Sequence, residues 1–161
     1  MAIRLIRTVP DSVLREKARR VSQINSSIQK LAEDMLETMR ISQGVGLAAP
    51  QIGVLLRVVV IEIPEKPPIA LINPEIVKYS GERVLSEGCL SVPGYWGETK
   101  RSASVTVKAR DLEGKEIRLK AENDLLTQVL EHEIDHLNGI LYLDRLESPD
   151  KLYQTEPASL L

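Results

Sequence analysis

Asp124-Leu125-Leu126-Thr127-Gln128-Val129-Leu130-Glu131-His132-Glu133-Ile134-Asp135-His136-Leu137-Asn138-Gly139 is the stretch around which the rest of the chain organises. The spacing predicts a helix from about Glu122 or Asp124 to Leu137, with Leu125, Leu126, Val129 and Leu130 on its buried side. Asn138-Gly139 is the stop signal. An α-helix turns about 100° per residue, so His132 and His136 project about 40° apart on one face. Two imidazoles placed this way can hold one divalent metal at about 2.0–2.1 Å. Glu133 lies beside them, able to reach a metal-bound water without being a ligand, and a carboxylate that accepts its proton completes a hydrolytic site. These are the only two histidines among 161 residues. Two histidines scattered at random would fall four apart in roughly 1 case in 80, which argues against accident.

A third protein ligand separates the possible chemistries. Proteases with H-E-x-x-H-x-x-G-x-x-H carry a third histidine; Gly139 fits that pattern, but Tyr142 stands in the last position. Zincins that recruit a downstream glutamate have only Glu147 and Glu156 to draw on, both near prolines. That leaves Cys89, in Glu87-Gly88-Cys89-Leu90-Ser91. A thiolate with two imidazoles keeps a fourth position open, as catalysis requires. The alternative for a lone cysteine is a buried structural residue. Gly44-Val45-Gly46-Leu47-Ala48-Ala49-Pro50-Gln51 is the third informative segment. Its glycines let backbone N–H groups approach a substrate, and the Gln51 amide could donate to a developing oxyanion. A plain helix-to-strand turn with a solvated Gln51 is the other reading.

The remaining sequence sets the frame. Ile28, Leu31, Ala32, Met35, Leu36 and Met39 define an amphipathic helix that starts with a Ser26/Gln29 capping box and ends before a Gly44-Val45-Gly46 loop. Arg57 to Ile63 reads as a buried strand, and Ala70-Leu71-Ile72 as a short one ended by Asn73-Pro74, with Glu75 to Tyr79 extended. Val84 to Ser91 alternates and is closed by Pro93-Gly94. Val105, Val107 and Ala109 alternate with polar residues, turn at Asp111-Leu112-Glu113-Gly114, and resume at Ile117 and Leu119. Ser148-Pro149 and Pro157 suggest an irregular end. The sum is an α+β fold, mostly antiparallel sheets packed around a central metal-binding helix with an N-terminal helix, in a single domain over residues 1–161. Hydrophobic residues make up 43% and charged residues 27%, the balance of a globule. A net charge of -2 offers no basic excess for a phosphate backbone. No apolar run approaches the roughly 20 residues a membrane span needs, and the single cysteine excludes an internal disulfide. The chain reads as cytosolic.

The three motifs, Gly44 to Gln51, Glu87 to Ser91 and His132 to His136, resemble those of the peptide deformylases, in order and over nearly the whole chain. The Asp11-Ser12-Val13-Leu14-Arg15 and Ile72-Asn73-Pro74 stretches fit as well. The resemblance implies a cytoplasmic enzyme of bacterial type, or of an organelle of bacterial descent, that removes the formyl group from N-formylmethionyl nascent peptides and releases formate. It implies Fe²⁺ held by Cys89, His132 and His136, with Zn²⁺, Ni²⁺ or Co²⁺ able to substitute. Glu133 would act as general base toward the metal-bound water and later deliver a proton to the leaving nitrogen. Gln51 and the Leu90 N–H would stabilise the oxyanion. Gly46 belongs to the same catalytic loop, where Gly44, Val45 and Gly46 would line the substrate backbone; Leu125 and Val129 would help form the methionine pocket. It implies no nucleic-acid specificity and no membrane. We expect Glu87 to pair with Arg101 and so steady the Cys89 loop.

Two positions depart from the family pattern. Glu131 stands where many relatives have Gln, and Trp96 where some carry Arg. Some relatives make a transient contact with the ribosome through a basic C-terminal helix, whereas beyond Pro149 this tail has Lys151 as its only basic residue. A metallopeptidase of other specificity and a catalytically silent formyl-peptide binder are the rival readings; Tyr142 counts against the first, and intact Glu133, Cys89 and Gln51 against the second.

Overall fold

The run Val58-Val59-Val60-Ile61 is buried at all four positions because the sheet it belongs to is covered on both faces. The computed structural model describes residues 2–154. Its helices are α1 (Ser26–Ile41) and α2 (Leu125–Leu137), and its strands are β1 (Gly46–Ala48), β2 (Val58–Ile61), β3 (Ile69–Ser80), β4 (Arg83–Cys89), β5 (Val92–Arg101), β6 (Ser104–Arg110), β7 (Glu116–Glu122) and β8 (Leu152–Gln154). Short 3₁₀ turns cover Ser12–Arg15, Ala49–Ile52 and Tyr142–Arg145. One sheet has the order β1-β2-β3-β6-β7, the other β4-β5-β8, and every strand ladder is antiparallel.

Side chains alternate across β2, so Val59 and Ile61 meet α2 while Val58 and Val60 meet α1. On the α2 side Val129, Leu130, Ile134 and Leu137 pack on Leu71, Val105, Val107 and Ala121. On the α1 side Leu31, Ala32, Met35 and Met39 cover Leu47 and Ile72. The expected α+β architecture is thus present, with α2 central and α1 on the far face of the sheet. Leu130 is fully buried, and Leu130→Ala should lower the unfolding free energy by about 3 kcal/mol, read as a reduced midpoint in urea at unchanged slope.

Several local expectations are corrected. Asn25, not Ser26, caps α1: its Oδ1 accepts from the N–H groups of Ser27 and Ile28 at 3.1 and 3.2 Å. Gly46 is not loop but the first residue of β1, paired with Ile61. Asn73-Pro74 does not end its strand; Asn73 takes a φ of +53° and the ladder shifts register between Ile72 and Glu75, so β3 absorbs the proline as a bulge. Pro93-Gly94 lies inside β5, and the turn falls at Leu90-Ser91, because Cys89 pairs with Val92 and both are buried. Leu152–Gln154 is not irregular but adds β8 to β5, while Pro157 and Glu156 lie outside the described residues. Leu125, expected on the buried side of α2, is 38% exposed, and it is the first residue of that helix.

Candidate metal centre and active site

Asp124 caps α2 through the Thr127 N–H at 2.9 Å, and Asn138 with Gly139 at a φ of +73° ends it, so His132 and His136 sit on rigid helix. β4 ends at Cys89, which the Leu90-Ser91 turn brings over the same helix. The metal-ligating atoms of Cys89, His132 and His136 all lie within 4.8 Å of one another, and all three residues are buried. Cys89 Sγ is 3.4 Å from His136 Nε2. The imidazole centroids of the two histidines are 4.9 Å apart.

His132 Nε2 and both Glu133 carboxylate oxygens are buried with no hydrogen-bond partner among the described residues. An unsatisfied buried polar atom costs about 1–3 kcal/mol, so orphans gathered beside a thiol indicate a group that satisfies them. A thiolate with two imidazoles suits a divalent transition metal. The residues fit a metal, and Cys89, His132 and His136 are the group that could hold it.

One buried carboxylate organises the histidine. Glu87 Oε2 lies 2.6 Å from His132 Nδ1, which leaves Nε2 as the free lone pair, the usual arrangement around a metal-bound imidazole. Arg101 Nε and Nη2 donate to Glu87 at 3.0 and 2.5 Å, while Thr99 Oγ1 and Gln128 Nε2 donate at 3.0 and 3.3 Å. Burial alone would raise the Glu87 carboxyl, but His132 and Arg101 outweigh it and hold it far below the usual carboxylate range. The expected Glu87–Arg101 pair therefore exists, and it grips His132 directly. Glu133 has no such partners, and burial pushes its carboxyl up to about 7, against the opposing pull of His132.

Gln51 is fully buried rather than solvated. Its Oε1 accepts from the Ala48 N–H at 3.0 Å, which turns Nε2 toward Cys89 Sγ at 3.7 Å and Ser91 Oγ at 3.1 Å. The N-terminal segment ties both turns together: the Arg7 N–H donates to the Gln51 carbonyl at 2.7 Å and the Val9 N–H to the Ser91 carbonyl at 2.9 Å. Gly46 passes directly over Glu133; a Cβ there would lie 2.7 Å from Glu133 Oε2 and 2.8 Å from Val129 Cγ1. Gly46→Ala must displace that carboxylate, and a misplacement of about 1 Å can cost about 100-fold in turnover. We expect a loss of that order in the turnover the centre supports, while metal uptake measured by equilibrium dialysis stays at the parent level. A Cβ at Gly44 would meet Leu90 Cδ1 at 2.9 Å, so the glycine loop and the cysteine turn also pack together.

Thus the structure gathers Gly46, Gln51, Glu87, Cys89, Arg101, Val129, His132, Glu133 and His136, with Gly44 packed on Leu90, Val45 half-buried beside the core and Leu125 at the exposed edge of α2. Trp96 packs against Tyr153 at a centroid distance of 4.6 Å, the rings tilted by 31°. Glu131 accepts from both the N–H and the hydroxyl of Ser102, at 2.7 and 2.9 Å. Sequence reasoning did not single out Ser91, Thr99, Gln128 or Asp135, although Ser91 and Asp135 lie within the quoted motifs. Tyr142, considered only as a missing ligand, stacks on His132 at 6.4 Å.

An α+β fold that wraps a His-Glu-x-x-His helix and delivers a buried cysteine to it has the makings of a metal-binding hydrolase. The polypeptide deformylase family model matches residues 3–152. A peptide deformylase of Dehalococcoides mccartyi (strain CBDB1) is 53% identical over 158 residues, covering 98% of this chain and 94% of that protein. One from Thermomicrobium roseum is 51% identical over 160 residues, covering 94% and 90%. The crystal structure of a peptide deformylase from Legionella pneumophila superposes with a TM-score of 0.88 at 50% identity, covering 93% of this chain and 89% of that one. One from Synechococcus elongatus in complex with actinonin gives 0.87 at 40%, covering 91% and 80%. The chain belongs to the polypeptide deformylase family and is a hydrolase. Among the described residues no helix is long and apolar enough to cross a membrane.

Proposed function

We propose that this chain removes the formyl group from the initiator methionine of nascent polypeptides, in the cytoplasm of a bacterium or a comparable organelle compartment, as one catalytic domain. The gathering of Cys89, His132 and His136 around an otherwise unengaged Glu133 carries this reading. The metal is Fe²⁺, for which Zn²⁺, Ni²⁺ or Co²⁺ can stand in; a soft thiolate suits iron and leaves the centre open to oxidation. When bound, such an ion supplies Lewis acidity and lowers the pKa of water.

The protein's residues do the rest. Glu133 takes the proton of the attacking water and returns it to the leaving nitrogen, a task suited to a carboxyl pushed up to about 7. The Gln51 amide and the Leu90 N–H donate to the oxyanion that develops on the former formyl oxygen. Gly44, Val45 and Gly46 run along the peptide backbone, and Val129 with the exposed Leu125 lines the methionine pocket. A formyl carbon carries only hydrogen, so a close wall excludes acetyl and longer groups. Glu87 and Arg101 orient His132 from behind. A transient ribosome contact is part of this reading.

The test is formate release from a formyl-Met-Ala-Ser peptide beside its acetylated counterpart, with protein prepared without oxygen. Turnover of the formyl peptide alone supports the proposal. Cleavage of internal peptide bonds, or binding of the formyl peptide without formate, would replace it with the peptidase or the silent binder.

A further inference from the structure

The ionic contacts behind His132 do not stop at Arg101. Asp135, on α2 between the two histidines, receives Arg101 Nη1 on Oδ2 at 2.8 Å. The same carboxylate is held by Arg145 as a fork: Nε donates to Oδ2 at 3.1 Å and Nη2 to Oδ1 at 3.0 Å. His132, Glu87, Arg101, Asp135 and Arg145 therefore form one continuous string. It starts at the metal-facing imidazole and ends at a guanidinium whose side chain is 45% exposed. Arg101, Asp135 and Arg145 meet at a cavity of about 560 Å³.

The geometry gives each member a job. Arg101 is almost wholly buried and lies between two carboxylates, which fix its plane from two sides. With Asp135 gone, Arg101 would keep only Glu87, and the orientation of the guanidinium that presses Glu87 onto His132 would loosen. Asp135 also belongs to the helix that carries both histidines, while Arg101 closes β5 and Arg145 lies in the 3₁₀ turn after α2. One carboxylate thus ties the histidine helix to the hairpin that delivers Cys89 and to the segment that follows. Arg145 holds both Asp135 oxygens, so it sets the carboxylate's rotation, which a single-point ammonium would not do.

We propose that Asp135 and Arg145 are positioning residues for the metal centre, acting on His132 through Arg101 and Glu87; the inference rests on reading Cys89, His132 and His136 as the metal ligands. Outer hydrogen bonds of this kind typically change metal affinity about 10- to 100-fold. Asp135→Asn should weaken Co²⁺ binding by about 10-fold, and Arg145→Ala should weaken it by a smaller factor. Both should shift the visible absorption of the Co²⁺-loaded protein, which reports the ligand geometry at the ion.

The experiment is a Co²⁺ titration of the full chain, its Asp135→Asn and Arg145→Ala variants, with circular dichroism as the folding control. Reduced affinity and an altered Co²⁺ spectrum in folded variants support the proposal. Parent-like affinity and spectrum in both would overturn it, even if thermal stability drops, since that would be a purely structural role. If Asp135→Asn fails to fold, the half-exposed Arg145→Ala decides by the same two readouts. If the parent chain itself binds no Co²⁺, the ligand assignment fails and the proposal falls with it, an outcome distinct from parent-like variants.

Discussion

A Glu133→Gln variant at full metal occupancy releases formate from the formylated peptide about 1,000-fold more slowly than the parent chain, within the range by which a positioned acid–base group accelerates proton transfer. The substitution keeps side-chain volume and removes only the capacity to take up and return a proton. The Glu133 carboxylate makes no hydrogen bond among the described residues and is not one of the three gathered residues, so metal stoichiometry should be unchanged. Folding should not suffer either: burial disfavours the charged carboxylate, so a neutral amide relieves a cost. Rate and occupancy measured on the same sample check both statements. A variant within a few fold of the parent rate would mean that another group moves the proton.

Replacing Cys89 has the other large consequence, by a different route. In Cys89→Ala the two histidines remain but the thiolate does not, and metal affinity should fall by more than the roughly 100-fold at the upper end for losing an outer hydrogen bond. Activity should disappear with the metal. Gln51 and Ser91, whose donors now face Cys89 Sγ, would lose that acceptor too. Equilibrium dialysis of the variant against Ni²⁺ measures the effect directly. Retention of one ion per chain at parent affinity would make Cys89 the buried structural residue that a lone cysteine otherwise suggests.

The parts of this protein visible in its sequence are those encoded by short-range spacing. The His132–His136 interval, the alternation of Val105, Val107 and Ala109, and the Asn138-Gly139 stop each need only a few consecutive residues, and each appears in the fold as read. Cys89 could be reached because the chain offers so few other soft ligands. What stayed hidden depends on distant partners. Asn73-Pro74 reads as a strand break until β6 is seen to accommodate it with a bulge. Leu152 to Gln154 reads as tail until β5 supplies an edge to pair with. Asp135 carries no local signal, and only the fold brings Arg101 and Arg145 to it. The residues around Gln51 leave it open between a site donor and a solvated turn for the same reason: its partners, Cys89 and Ser91, lie about 40 residues further along the chain.

On the proposed function, deformylation requires one divalent metal at Cys89, His132 and His136. That requirement is tested most directly by stripping the protein with a chelator under anaerobic conditions, then adding back Fe²⁺ or Ni²⁺ while formate release and bound metal are followed together. Activity should rise from background in proportion to occupancy and level off at one ion per chain. Full activity in the metal-free protein, or no formate at one bound ion per chain, would contradict the account.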